Sequence, residues 1–295
     1  MYRRVLVTGA KGQLGREIEE IWSQRGNDLT ERDFYFTDRN DLDISDKEAV
    51  IRFVREHEID TIINCAAYTA VDRAETEEGL AFRVNRTGAE NLAIAAKGQH
   101  AFLIHISTDY VFDGRAFLPL VEDAKTNPEG VYGCSKLAGE EAIREIAPEG
   151  AVIIRTSWVY STFGQNFVHT MLRLGRERDE LGVVCDQIGT PTYARDLARA
   201  IFKILEEGSK HPEKVEAYHY SNEGCCSWYD FAQAIFEISK TPCKVRPIGT
   251  CDYPTPAKRP HYTVLSKEKI KKEFGVEVPY WRDALKECLT LIVSD

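Results

Sequence analysis

The chain has 295 residues, is 43% hydrophobic and carries a formal net charge of −9. That length holds one large α/β domain, or a large domain with a smaller partner, and the acidic balance argues against a broad nucleic-acid surface while allowing a local basic pocket for a phosphorylated substrate. No run approaches the ~20 apolar residues of a bilayer span, and Met1-Tyr2-Arg3-Arg4 leads into Val5-Leu6-Val7-Thr8 without the apolar core or cleavage site of a secretory signal, so a cytoplasmic protein away from membranes is expected.

Arg3–Thr8 reads as a strand, and Leu14, Ile18, Ile21 and Trp22 follow at helical spacing. Between them lies Gly9-Ala10-Lys11-Gly12-Gln13-Leu14-Gly15. Gly9 suits a tight turn, Gly12 lets backbone approach a pyrophosphate, and Gly15 permits close packing of helix on strand. The helix N-terminus adds unpaired N–H groups and a positive dipole end. Strand, glycine turn and helix at the chain start together point to nucleotide binding. Phe34–Thr37 reads as a second strand, with Asp38 just beyond it. An acid there can accept hydrogen bonds from an adenosine ribose, while Arg39 can accommodate a 2′-phosphate instead. NADH and NADPH therefore both stay open.

Ala49, Val50, Phe53 and Val54 mark a helix, and Thr61–Asn64 a third strand. A long helix is expected from about Glu75 to Lys97, followed by the apolar strand Ala101–Ser107. Tyr132–Ile146 reads as helix and Ala151–Thr156 as another buried strand. Such alternation implies a doubly wound parallel sheet with right-handed crossovers, a Rossmann-type α/β fold.

Two features of this region carry chemistry. Thr108 falls at the carboxyl end of a central strand, where ligands bind in open α/β sheets, and its hydroxyl can position a reacting carbonyl. Tyr132 and Lys136 are four residues apart on one helix and share a face. A nearby cation together with an oxidised nicotinamide favours phenolate, so Tyr132 can exchange a proton with a ketone oxygen while Lys136 holds the nicotinamide ribose.

The alternation loosens after residue 160. Helices are expected at Phe167–Arg178, Ala194–Glu207, Ser227–Ser239 and Pro279–Ile292, with polar, Gly- and Pro-rich stretches around 208–213 and 241–261. The expected division is a dinucleotide-binding domain, 1–160 plus about 183–222, and a smaller substrate lobe, about 161–182 plus 223–295. Trp228 and Trp281 sit on apolar stripes and read as core. The eight cysteines contain no Cys-x-x-Cys pair, so reduced thiols are expected rather than a zinc site.

The glycine turn, Tyr132-Gly133-Cys134-Ser135-Lys136 and Thr108 after the fourth strand resemble the extended short-chain dehydrogenase/reductase family. Longer strings narrow the resemblance: Asn64–Glu75, Ser107–Gly114, Arg155–Tyr160, Asp186–Thr192 and Tyr253–Pro260. In that order they resemble the dTDP-4-dehydrorhamnose reductases, from about residue 4 to residue 289. The resemblance implies NADPH- or NADH-dependent reduction of the C4 ketone of dTDP-4-dehydro-L-rhamnose, with Tyr132 as proton donor, Lys136 its partner and Thr108 tuning the donor. It places Gly12, Gln13 and Leu14 at the pyrophosphate and Asp38 at the adenosine ribose. Asp43 and Ile44 would border the adenine, with Ala66, Ala67, Tyr68 and Thr69 lining the cofactor beyond the third strand. Thr108, Asp109, Tyr132 and Trp158 would face the dTDP-sugar, with Arg259, one of a basic pair between prolines, near its diphosphate. Tyr68 stands where some members carry His. Some members dimerise through a magnesium site of acidic residues; Arg195 occupies part of that stretch here, so no metal is expected, and a homodimer stays open. Two other readings share these motifs: a sugar-nucleotide 4-epimerase that retains NAD, and a non-catalytic subunit like the regulatory subunit of methionine adenosyltransferase.

Overall fold

The computed structural model describes residues 2–25, 32–146, 150–208 and 212–294. Met1 of the leader reading and residues 209–211 of the expected loop lie outside the described residues. The first half alternates strand and helix: β1 (Arg4–Thr8), α1 (Gln13–Gln24), β2 (Asp33–Thr37), α2 (Lys47–Glu56) and β3 (Thr61–Asn64). It continues through α3 (Val71–Ala74), α4 (Glu78–Phe82), α5 (Gly88–Gln99), β4 (Phe102–Thr108), α6 (Val131–Ile146) and β5 (Val152–Thr156). The second half holds β6 (Val159–Tyr160), α7 (Phe167–Glu177), β7 (Glu180–Val184), β8 (Ile188–Gly189), β9 (Thr192–Tyr193) and α8 (Ala194–Glu206). After these come β10 (Glu216–His219), β11 (Cys226–Ser227), α9 (Trp228–Ser239), β12 (Lys244–Ile248), α10 (Glu268–Phe274) and α11 (Trp281–Ser294).

The main sheet has six strands in the order β10-β5-β4-β3-β1-β2, every neighbouring pair parallel. Its central strands are largely apolar because helices cover both faces. On one face Leu14 and Ile18 of α1 pack with Leu197, Ile201 and Phe202 of α8 against β1 and β4. On the other, Val50 and Val54 of α2, Leu92 and Ala96 of α5 and Ile143 of α6 cover β3, β4 and β5. The chain leaves β1 toward β2 on one side and β3 on the other, so a crevice opens at the strands' carboxyl ends beside β1. A second core gathers α7, α9 and α11 around Tyr160, Leu172, Phe231 and Leu285.

Two expectations need correction. The long helix from Glu75 is broken: α4 passes through a π turn at Arg83–Thr87 before α5. The widened turn aims Asn85 inward, where it is buried and binds both the backbone of Tyr68 and the Ser135 hydroxyl. The stretch 241–261 contains a strand, β12, parallel to β7. Its sequence, Lys-Val-Arg-Pro-Ile, is largely solvent-facing and offers no apolar run to read. Core membership does not follow chain order: Val183 and Tyr193 join the second core, while Ile270 and Phe274 join the first.

Candidate active site

The crevice is built on the turn between β1 and α1. Gly9 has φ +69, and a Cβ there would stand 2.6 Å from the Ala66 nitrogen, so no other residue fits. Gly12 caps α1 without a side-chain hydrogen bond, and the first turn of α1 contains no acidic residue. Its amide groups therefore face the crevice free to bind an anion. This cradle fits a dinucleotide pyrophosphate. Asn166, the N-cap of α7, donates through Nδ2 to Gln13 Oε1 at 3.0 Å and ties the cradle to the second core.

The crevice has two adjoining halves. One, about 400 Å³, is lined by Asp38, Arg39, Asp43, Ile44, Ala66, Ala67 and Tyr68 together with Gly9 and Gly12. Asp38 Oδ1 accepts the Asn40 amide at 2.6 Å, and its other oxygen pairs with Lys11. The Lys11 ammonium and the Asn40 amide hold Asp38 below the usual carboxylate range. Lys11, unremarked in the sequence reading, thus sits in the glycine turn with its charge over the expected ribose acceptor. Arg39 lies 3.7 Å from Asp43, and the Tyr68 hydroxyl donates to Glu77 Oε2 at 2.6 Å.

The other half, about 450 Å³, runs from Gly9, Gly12, Gln13, Leu14 and Gly15 past Ala67 and Thr69 to Thr108, Asp109, Tyr132, Lys136 and Trp158. Thr108 caps the turn after β4: its Oγ1 accepts the Tyr110 amide at 3.2 Å and donates to Asp109 Oδ1 at 3.2 Å. The same hydroxyl stands beside the Tyr132 phenol and favours its ionised form. Burial pushes Tyr132 up to about 12, with Thr108 opposing and Asp109 adding to the rise. In the protein alone Tyr132 is therefore a neutral acid rather than a phenolate. Burial likewise pushes Asp109 up to about 6, and its Oδ2 is a buried acceptor with no partner.

Lys136 is 1% exposed. Its Nζ donates to the Ile106 carbonyl at 2.6 Å and lies 3.3 Å from His105 Nε2. Burial pulls it down to about 8, with Glu140 and Cys65 opposing the fall. Beneath the site, Glu140 of α6 takes a forked contact from Arg155 of β5, with Nη2 to Oε2 at 2.8 Å, and the Ser107 hydroxyl at 2.6 Å. These contacts tie β4, β5 and α6 together immediately behind Thr108 and Lys136.

Trp158 adopts φ +47, in the left-handed region. Its ring stacks on Trp228, centroids 3.6 Å apart and planes 11° from parallel. A Cβ at Gly189 would come within 2.8 Å of the Trp158 ring, so glycine there leaves room for the stack. Trp228 is thus not plain core as its sequence stripe implies: it is partly exposed and lines the crevice. Trp281 is buried at 4% exposure, in keeping with a core residue. Arg259 Nη2 pairs with Asp72 at 2.7 Å while its Nη1 is buried without a partner, and the residue lines neither half of the crevice; Lys258 pairs with Glu129. Arg195 bonds Gln24 at 3.1 Å and lies 3.3 Å from Glu20, joining α8 to α1. Sequence reading missed Asn64, Asn85, His105, Glu140 and Asn166, which act through hydrogen bonds made across the fold and carry no local spacing signal.

A family model described as the RmlD substrate binding domain matches residues 3–293. The chain is 42% identical to the dTDP-4-dehydrorhamnose reductase of Aggregatibacter actinomycetemcomitans, over 96% of this chain and 97% of that one. Among solved structures, a dTDP-4-dehydrorhamnose reductase from Clostridium acetobutylicum superposes with a TM-score of 0.92 at 42% identity, covering 98% of this chain and 99% of that one. The Bacillus anthracis dTDP-4-dehydrorhamnose reductase in complex with NADP gives a TM-score of 0.91 at 39% identity, with 99% of this chain and 100% of that one covered.

Proposed function

Since the chain belongs to the dTDP-4-dehydrorhamnose reductase family, we propose that it reduces the C4 ketone of dTDP-4-dehydro-L-rhamnose to the alcohol of dTDP-L-rhamnose. NADPH or NADH, when bound, supplies the hydride that C4 receives. The observation that carries the reading is the meeting, in one crevice, of the Gly9–Gly15 cradle with Thr108, Tyr132 and Lys136. The cradle holds the pyrophosphate on the α1 amides, and Asp38, Arg39 and Lys11 meet the adenosine ribose or its 2′-phosphate. Asp43 and Ile44 border the adenine, and Ala66, Ala67, Tyr68 and Thr69 wall the cofactor. The neutral phenol of Tyr132 gives its proton to the C4 oxygen as negative charge develops there, and Thr108 holds that oxygen in line. Lys136, one helical turn on, returns a proton to Tyr132. Asp109 Oδ2 accepts from a sugar hydroxyl, and Trp158 forms a wall of the sugar-nucleotide site. In the corresponding division of labour, residues 1–160 and 183–222 hold the cofactor, while 161–182 and 223–295 close over the substrate.

A coupled assay tests the function. With dTDP-4-dehydro-L-rhamnose generated in situ, the protein should consume NADPH or NADH only when the sugar nucleotide is present. Folded protein that oxidises neither cofactor would remove the reductase reading.

The tryptophan stack predicts a selective effect. Trp228→Ala removes the surface that backs Trp158, and an aromatic pair contributes up to ~1.5 kcal/mol beyond its buried area. KM for the sugar nucleotide should rise about three- to tenfold, with KM for NADPH unchanged. Equal increases in both constants would show that the stack supports the fold and not the sugar site.

A further inference from the structure

Resting on the reductase reading, we propose that His105 is a positioning residue for the reaction: held in one tautomer by Asn64, it presents Nε2–H to Lys136 and favours the neutral amine over the ammonium. The protons of four buried groups, Thr8, Asn64, His105 and Lys136, fix this arrangement. Asn64 Oδ1 accepts the Thr8 hydroxyl at 2.7 Å and the Ala66 backbone amide at 3.1 Å. A backbone N–H can only donate, so this atom is the amide oxygen and the nitrogen points the other way. That nitrogen lies 2.9 Å from His105 Nδ1, which must therefore be the unprotonated acceptor. Burial, with Lys136 and Arg144 nearby, holds His105 well below the ordinary imidazole range. The ring is neutral and carries its one proton on Nε2.

Nε2–H faces Lys136 Nζ across 3.3 Å. An ammonium has three donors and no lone pair, so Nε2–H then meets another donor and stays unsatisfied in a buried site. A neutral amine accepts from Nε2–H, donates to the Ile106 carbonyl at 2.6 Å, and keeps one N–H for the crevice. Every buried donor near Nζ is matched only in that form. The consequence falls on the return of the proton. After Tyr132 has protonated the C4 oxygen, an N–H bond of the Lys136 ammonium breaks, the phenol O–H re-forms, and the neutral amine left behind is the species His105 stabilises. Solvent then reprotonates the amine. The other titratable groups facing Lys136 are Glu140, from its own helix, and Cys65, beyond β3, and both favour the ammonium. Glu140 is itself met by Arg155 and Arg144. His105, from β4, is the neighbour that opposes them by hydrogen bonding.

Two measurements test this. In the wild-type protein, nitrogen-15 NMR of labelled histidine should show His105 protonated on Nε2 and not on Nδ1; a proton on Nδ1 overturns the proposal. In His105→Phe, which keeps a ring and removes the donor, the Lys136 titration followed by carbon-13 NMR at Cε should move up by about one pH unit, the size of one hydrogen bond lost to the neutral form. The alkaline fall of kcat should move with it. An unmoved lysine titration in folded His105→Phe also overturns the proposal. Should that variant not fold, Asn64→Leu frees the tautomer, and Lys136 should again titrate higher; no change there counts against the inference. Both NMR readouts are independent of turnover, so a failed reductase assay is distinguishable from a failure here.

Discussion

Tyr132→Phe is expected to lower kcat by ~10²–10⁴-fold while leaving NADPH affinity and thermal stability close to wild type. The substitution removes one oxygen. Beside that oxygen stands the Thr108 hydroxyl, which keeps its links to the Tyr110 amide and Asp109 when the phenol is gone. The ring also keeps its edge-to-face contact with Tyr110, at 5.4 Å between centroids. Little holding the fold or the glycine cradle depends on the phenol, whereas proton delivery to C4 depends on it entirely. Because burial keeps Tyr132 up at about 12, the donor is fully protonated across the neutral range, and the loss should be nearly independent of pH there. Thr108→Val provides the companion measurement, since it keeps the phenol but removes the group that aligns it, and it should produce a smaller defect in kcat. A Tyr132→Phe enzyme within threefold of wild type would remove the phenol from the mechanism.

Such a separation between fold and chemistry also explains what was legible in the sequence. The glycine turn, Asp38 and the Tyr132–Lys136 pair were readable because each depends on a local pattern: a φ only glycine adopts, the end of a strand, one helical turn. The buried strands around them were readable because both faces are covered and the residues are uniformly apolar. β10 escaped notice because Glu-Ala-Tyr-His is four residues long with a charged start, yet it completes the sheet against β5. Trp228 was misread for a different reason. A stripe reports which face of a helix is apolar, and does not say whether that face meets a core or a crevice. The network of Asn64, His105, Asn85 and Glu140 lies further still from sequence reasoning, because each side chain finds its partner across tens of residues. The basic pair between prolines is met in part by an acid far along the chain: Asp72, 187 residues away, takes Nη2 of Arg259, while Nη1 is buried without a partner.

Arg155→Met should be the most destabilising single change in the active-site framework, by ~3–5 kcal/mol. Glu140 is fully buried and Arg155 is 3% exposed, so water contributes almost nothing to either charge. The guanidinium gives Glu140 three contacts between 2.8 and 3.3 Å, donates to the Glu122 carbonyl at 3.1 Å and lies over the Phe112 ring. Burial alone would raise the Glu140 carboxyl, but Arg155, Arg144 and Ser107 together hold it below the ordinary range. A lowered folded pKa means that this stabilisation is fully present above ~pH 4.3, the unfolded value, and is lost as pH falls through the folded one. In the variant the sign reverses. Without Arg155 the buried carboxylate favours its protonated form, so the deficit relative to wild type should shrink as the solution is acidified toward pH 5. Denaturant unfolding at pH 8 and pH 5 reads both effects. Adding Glu140→Leu to Arg155→Met should recover most of the loss at pH 8, because the defect is an uncompensated charge and not a missing volume. A loss under 1 kcal/mol at pH 8, or no recovery in the double variant, would mean that Arg144 and Ser107 suffice to hold Glu140 and that Arg155 serves chiefly through its packing on Phe112.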